Sequence, residues 1–232
     1  MKISDVINCV NKTKILNMLF PSLCEECGYL GEALCCECYS RLKFEPHVRK
    51  IGDLKVCTAM YFEEKGLLDR LVHPFKYSHQ EDLYRYFVPQ MVAALRLLLD
   101  PACVTLVPVP LHKSRLNERG YNQSAVLSKW ISHETGCGYL EALARNRETH
   151  SQAAFSARAD RIKNLAGAFS VVRPLPAGQI VIVDDIVTTG GTLLACREAL
   201  CAAGVTGSAG AGARPQDVLA LTIADNDDLP FR

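Results

Sequence analysis

One run of thirteen residues, Ile180-Val181-Ile182-Val183-Asp184-Asp185-Ile186-Val187-Thr188-Thr189-Gly190-Gly191-Thr192, constrains this chain more than any other. Its first four residues are branched and apolar without alternation, the pattern of a strand buried on both faces in the middle of a parallel sheet. Two adjacent carboxylates follow where such a strand should emerge. Hydroxyls and glycines come next, and the apolar, alanine-containing run from Leu193 to Ala203 predicts a helix beginning near Gly191. A strand, a small-residue turn and a helix N-terminus together form an anion cradle. Backbone N–H groups converge on one point and the helix dipole favours negative charge there. Thr188, Thr189 and Thr192 add hydroxyl donors, and Gly190 and Gly191 let the backbone come close.

A central parallel strand needs partners and covering helices, and the chain supplies them. At 232 residues and 49 % hydrophobic, it can bury one α/β core and a small accessory module. Lys55 to Phe62 and Thr105 to Pro110 read as further strands, and Val218 to Ile223 as a last one. A helix through Leu67, Leu68, Leu71 and Val72 should end before Pro74. A longer helix is expected from about Glu81 to Leu99, and another through Val126, Leu127, Trp130 and Ile131. Residues 3 to 20 carry a broken helical pattern, Ala157 to Ala168 a helical one, and Val205 to Gln216 a Gly/Ala-rich turn.

The net charge of +1 gives no whole-protein case for a polyanionic partner. Between His112 and Lys163, however, nine basic residues face five acidic ones, a local excess of +4. Leu111 to Arg115 reads as a basic loop after a strand, at the edge where open α/β sheets bind ligands. Arg158 and Arg161 suit a polyanion or simply a solvated helix face. Phe75-Lys76-Tyr77, a cation between two aromatics, would stack a base if exposed or anchor a loop if not.

Eleven cysteines imply metal or reduced thiols, since no stretch reaches the roughly twenty apolar residues of a membrane span and Ile15 to Phe20 is too short for a signal-peptide core. The reading is a cytoplasmic protein. Five of the cysteines crowd between Cys24 and Cys38. Cys24 and Cys27 form one two-residue-spaced pair and Cys35 and Cys38 another, spacing that brings four thiolates onto one tetrahedral zinc ion. A site using all four is closed, hence structural, and Cys36 is out of phase. Residues 1–45 are expected to hold a helical segment and this zinc finger, and 46–232 the α/β domain.

Val183-Asp184-Asp185-Ile186-Val187-Thr188-Thr189-Gly190 resembles the signature of type I phosphoribosyltransferases, which bind phosphoribosyl pyrophosphate. With the cysteine module, the Pro108-Val109-Pro110 loop, Arg119-Gly120-Tyr121-Asn122-Gln123-Ser124 and the 158–169 stretch, the chain resembles the ComF family. Its members join an N-terminal zinc finger to a phosphoribosyltransferase-like domain and are linked to DNA uptake in natural competence. The resemblance implies a type I phosphoribosyltransferase-like parallel sheet flanked by helices. It assigns the 5′-phosphate to Thr188, Thr189, Gly190, Gly191 and Thr192. Asp184 and Asp185 would face the ribose hydroxyls directly or through Mg2+ as the catalytic carboxylates. Pro108 to Lys113 would be the pyrophosphate loop, with Arg119, Asn122 and Gln123 lining the pocket and residues 145–156 forming a hood. No acceptor base is evident beyond His150 in that hood. The ligand class is phosphoribosyl pyrophosphate or another phosphorylated ribose. Two other readings use the same fold: a single-stranded DNA-binding factor relying on Phe75, Lys76, Tyr77, Arg158 and Arg161, and an adaptor for a helicase-like, DNA-translocating ATPase.

Overall fold

The computed structural model describes residues 22–101, 104–147, 165, 167–206 and 218–226. The expectations for residues 3–20, for most of the hood with His150, and for Arg158, Arg161 and the 207–216 turn lie outside the described residues.

The chain-order elements are α1 (Cys36–Tyr39), β1 (His47–Ile51), β2 (Leu54–Tyr61), α2 (Leu67–Tyr77), a 3-10 turn (Glu81–Leu83), α3 (Tyr84–Leu98), β3 (Val104–Pro108), α4 (Lys113–Arg119), α5 (Gln123–Thr135), β4 (Gly138–Tyr139), β5 (Leu143–Arg145), β6 (Phe169–Val171), β7 (Gln179–Val187), α6 (Gly191–Thr206) and β8 (Val218–Asp225). Six strands form the main sheet in the order β1-β2-β8-β7-β3-β4, and β5 pairs with β6 separately. Every pairing in the main sheet is parallel except β1 with β2.

The unbroken apolar run of β7 is explained by its position. Ile180, Val181, Ile182 and Val183 are all 0 % exposed. Ile180 and Ile182 pack with Leu193, Cys196 and Leu200 of α6 on one face. Val181 and Val183 pack with Phe87 and Met91 of α3 and Leu127 and Ile131 of α5 on the other. Each such side chain contributes about 1.5–3 kcal/mol by leaving water. Thr58 and Thr222 are also buried, but they face each other across β2 and β8 with their hydroxyl oxygens 3.1 Å apart, so neither hydroxyl is left unpaired.

Four local features differ from the sequence reading. α2 runs through Pro74 to Tyr77, because proline's fixed φ is helical and fully buried Phe75 anchors the turn beyond it. Residues 113–119 form helix α4 and not a loop. His112 caps it by accepting from the Ser114 N–H at 3.3 Å, and Gly120 ends it at φ +76°. α6 continues two residues past Gly204, to Thr206. β1 has no counterpart in the sequence reading. It joins β2 through Gly52-Asp53, with Gly52 at φ +58°, as a tight hairpin on the edge of the sheet.

The cysteine module is tied to α2 and α3. The Leu34 N–H donates to the Tyr86 hydroxyl at 3.1 Å, and Gln90 Nε2 donates to the Tyr39 hydroxyl at 3.0 Å. Glu26 pairs with both Arg41 and Arg70. Among the described residues no helix is long and apolar enough to cross a membrane.

Candidate functional site

Asp184 and Asp185 lie inside β7, not beyond its end. The strand still pairs with β8 on either side of them, Val183 opposite Leu221 and Ile186 opposite Ala224, and Asp184 itself lies opposite Thr222. Their backbone is therefore fixed by the sheet. Successive strand residues point to opposite faces, so the two carboxylates diverge at the root and are held by different partners. The Ser124 hydroxyl of α5 and the Asp185 N–H both donate to Asp184 Oδ1 at 3.0 Å. Asp185 Oδ1 accepts from the Ile186 N–H at 2.5 Å and meets the Lys76 ammonium at 3.1 Å.

Burial pushes the Asp184 carboxyl up, and the neighbouring Asp185 charge pushes it further. Lys76 and the two hydrogen bonds offset part of this, leaving it at about 7. Among the described residues every hydrogen bond and ion pair of the two carboxylates falls on Oδ1.

Beyond β7 the chain turns at Gly190, whose φ of +75° is left-handed, and its carbonyl accepts from the Leu194 N–H at 3.0 Å to start α6. A Cβ at Gly190 would lie 2.4 Å from Ile51 Cδ1 and 2.8 Å from Ile51 Cγ2, so glycine is required for space as well as for conformation. Thr188 is exposed, Thr189 and Thr192 are half-buried, and Gly191 is buried at the first turn of α6. These five residues link the end of β7 to the first turn of α6, the strand, turn and helix N-terminus that the sequence predicts, at the C-terminal edge of the sheet. Lys113 is exposed in the first turn of α4, which follows the adjacent strand β3.

The Arg119–Ser124 segment does something other than line a pocket with free polar groups. Asn122 caps α5, accepting from the Ser124 N–H at 3.1 Å, and its Nδ2 donates to the Val109 carbonyl at 3.0 Å. Gln123 is 1 % exposed, and its Nε2 lies 3.3 Å from the carbonyls of both Phe75 and Lys76. Tyr121 also donates to the Phe75 carbonyl. Arg119 is buried, donates to Gln123 Oε1 at 3.2 Å, and lies over the Tyr77 ring at 4.9 Å. This set of contacts clamps the last turn of α2 and so aims Lys76 at Asp185.

The Phe75-Lys76-Tyr77 triplet is accordingly corrected. Phe75 is buried in the core against Phe87 and Tyr121 and cannot stack on a base. Lys76 faces a carboxylate, and only Tyr77 retains substantial exposure. Ser124 and Arg49 are contacts that the sequence reading missed. Ser124 is signalled only by its place two residues after a cap. Arg49, which donates to the Thr188 carbonyl at 2.9 Å, carries no sequence signal without the hairpin that places it.

The second site is the thiol cluster. The sulfurs of Cys24, Cys27, Cys35 and Cys38 all lie within 4.8 Å of one another. Cys27 Sγ and Cys35 Sγ are 3.7 Å apart, close to the ~3.8 Å edge of a tetrahedron with Zn–S bonds of about 2.3 Å. Burial pushes the Cys24 thiol up, but backbone N–H groups of Cys27, Cys35 and Glu26 outweigh it and bring it down to about 6. Cys36 is exposed and outside the cluster. The four residues fit a structural zinc ion, which would cross-link the two knuckles.

No protein-family model matches the chain. Among curated proteins, DNA utilization protein YhgH of Salmonella typhi is 32 % identical over 177 residues, covering 74 % of each chain. Competence protein F of Haemophilus influenzae is 31 % identical over 185 residues, covering 75 % of this chain and 76 % of its own.

The chain belongs to the ComF family.

Among solved structures, this ComF protein aligns with adenine phosphoribosyltransferase from Leishmania tarentolae at 13 % identity and TM-score 0.39, over 77 % of this chain and 94 % of that one. Orotate phosphoribosyltransferase from Aeropyrum pernix aligns at 16 % identity and TM-score 0.33, over 81 % and 89 %. The fold assignment itself rests on family membership and on the parallel sheet with helices on both faces.

Proposed function

We propose that this ComF protein binds phosphoribosyl pyrophosphate, or another phosphorylated ribose, in a cytoplasmic step of DNA uptake during natural transformation. The observation that carries the reading is the pairing of two carboxylates with a glycine-started helix N-terminus on one sheet edge. A ribose 5-phosphate presents the complementary pattern: hydroxyls at one end for Asp184 and Asp185, and a dianion at the other for Thr188 to Thr192. The relatives named for competence and DNA utilization support the biological role.

Magnesium fits this site as part of the ligand. The Oδ2 atoms of Asp184 and Asp185 face no described partner, and magnesium prefers few carboxylates plus substrate oxygens. Bound there, it would neutralise diphosphate charge. If turnover occurs, loss of pyrophosphate builds positive charge at the anomeric carbon, which the carboxylates would stabilise, while cations such as Lys113 would receive the leaving group. The DNA-binding alternative draws less support, because Phe75 is buried and Lys76 is paired with Asp185.

Calorimetric titration of phosphoribosyl pyrophosphate, with and without Mg2+, tests the proposal. Saturable binding that is abolished by Asp184→Asn with Asp185→Asn is expected. Absence of binding under both conditions would overturn it.

A further inference from the structure

His47, Arg49 and Ile51 occupy alternate positions of β1 and therefore share one face of the strand, the face turned toward the body of the protein. Arg49 and Ile51 reach the loop that follows β7, and His47 reaches Asp225 at the end of β8 beside it. Ile51 fills the space that a side chain at Gly190 would need. Arg49 donates to the Thr188 carbonyl at 2.9 Å and, through the same nitrogen, to Asp225 Oδ1 at 2.9 Å. Its Nε also pairs with Asp225 Oδ2, the oxygen that His47 Nε2 faces at 3.8 Å. Asp225 ends β8 directly beside Val187, the last residue of β7.

We infer that Arg49 is a positioning residue for the phosphate turn, holding its first peptide in the orientation that a phosphate requires. This rests on the reading of Thr188–Thr192 as the 5′-phosphate turn. The reason is the planarity of the peptide unit. In a trans peptide the C=O of Thr188 and the N–H of Thr189 point in opposite directions. A carbonyl held outward by a guanidinium therefore directs the following N–H inward, toward the concavity before α6. Thr188 is itself exposed, and the glycine that follows two residues later leaves the backbone free to turn, so the Arg49 contact is what fixes the orientation of this peptide. The Arg49 charge is matched by Asp225, so its contribution to an anion is geometric more than coulombic. Ile51 beneath Gly190 supports the second half of the same loop. The β1–β2 hairpin thus backs the turn.

The test is titration calorimetry of wild type, Arg49→Gln and Arg49→Lys with ribose 5-phosphate and, separately, with inorganic pyrophosphate. Melting temperatures are recorded alongside. Arg49→Gln should weaken ribose 5-phosphate about ten-fold, the scale of one lost charge-assisted hydrogen bond, and leave pyrophosphate within about two-fold. Arg49→Lys keeps the charge but lacks the two-pronged fork, so it should show the same selective loss even if the glutamine variant folds poorly. Equal affinity of wild type and variants for ribose 5-phosphate, or equal losses for both ligands, would overturn the positioning role while leaving the turn's assignment intact. Failure of the wild type itself to bind ribose 5-phosphate would overturn the phosphate-turn reading, and this inference with it.

Discussion

The Lys76 ammonium lies 3.1 Å from Asp185 Oδ1, and the two side chains are only 19 % and 13 % exposed. They come from elements more than a hundred residues apart, and the carbonyls of Phe75 and Lys76 are held by Tyr121 and Gln123 to bring them together. A cation so placed compensates a carboxylate pair that would otherwise repel itself, one of which is already driven toward its neutral form.

Replacing Lys76 with Met should therefore destabilise the fold by about 2–3 kcal/mol at pH 7.5, the scale of leaving a largely buried charge unpaired. Lys76→Arg, which keeps the charge, should recover much of the loss. Urea unfolding of the three proteins measures the difference. An equal loss in the Met and Arg variants would show that packing of the lysine stem matters and the charge does not.

Asp184 sets a pH dependence of opposite sign to that of an ordinary salt-bridged aspartate. Its folded pKa of about 7 is above the model-compound value of 3.8, so the folded state holds the proton more tightly than the unfolded chain. This contribution is complete below about pH 4 and is lost as pH rises through 7. His47 is also raised, by its contact with Asp225 against the opposing effect of burial, and its contribution fades above its ordinary value of 6.5. Stability without divalent cations should fall from pH 5 to 8. Asp184→Asn should flatten the lower part of that slope and His47→Gln the upper part. A profile unchanged by Asp184→Asn would refute the assignment.

The thiol cluster predicts one zinc per chain by elemental analysis. Cys24→Ser or Cys38→Ser should reduce it to near zero, and Cys36→Ser should leave it intact. A chelator should lower the melting temperature of wild type but not of Cys38→Ser, because the cross-link is then already absent.

Gly190→Ala should cost about 2 kcal/mol from the left-handed φ alone, with more from the collision with Ile51. Adding Ile51→Val removes the atom that would lie 2.4 Å away, so the double variant should be more stable than the sum of the single effects by about 1 kcal/mol. Chemical denaturation of the four proteins in this cycle reads the coupling directly.

Much of this site is legible in the chain because its signals are local. Ile180 to Thr192 announces strand, carboxylates, turn and helix by composition alone, and the cysteine spacing announces a tetrahedral cluster. Other parts depend on tertiary context. β1 reads His-Val-Arg-Lys-Ile, too charged to suggest a strand, because an edge strand buries only one row of side chains. Pro74 suggests a helix end, yet burial of Phe75 carries the helix past it. The polar Arg119–Ser124 segment suggests ligand contacts, whereas most of its side chains satisfy the carbonyls and N–H groups of neighbouring elements. A polar sequence does not reveal whether its partner is a substrate or a backbone.

The attachment of the cysteine module bears on the order in which the molecule is built. Its four thiols fall within fifteen residues of sequence, whereas the Tyr86 hydroxyl that receives the Leu34 N–H lies 52 residues farther along. A chain leaving the ribosome can close the two knuckles around metal while α3 is still being synthesised. A module loaded in this way would present the Leu34 N–H and the Tyr39 hydroxyl to Tyr86 and Gln90 as α3 emerges.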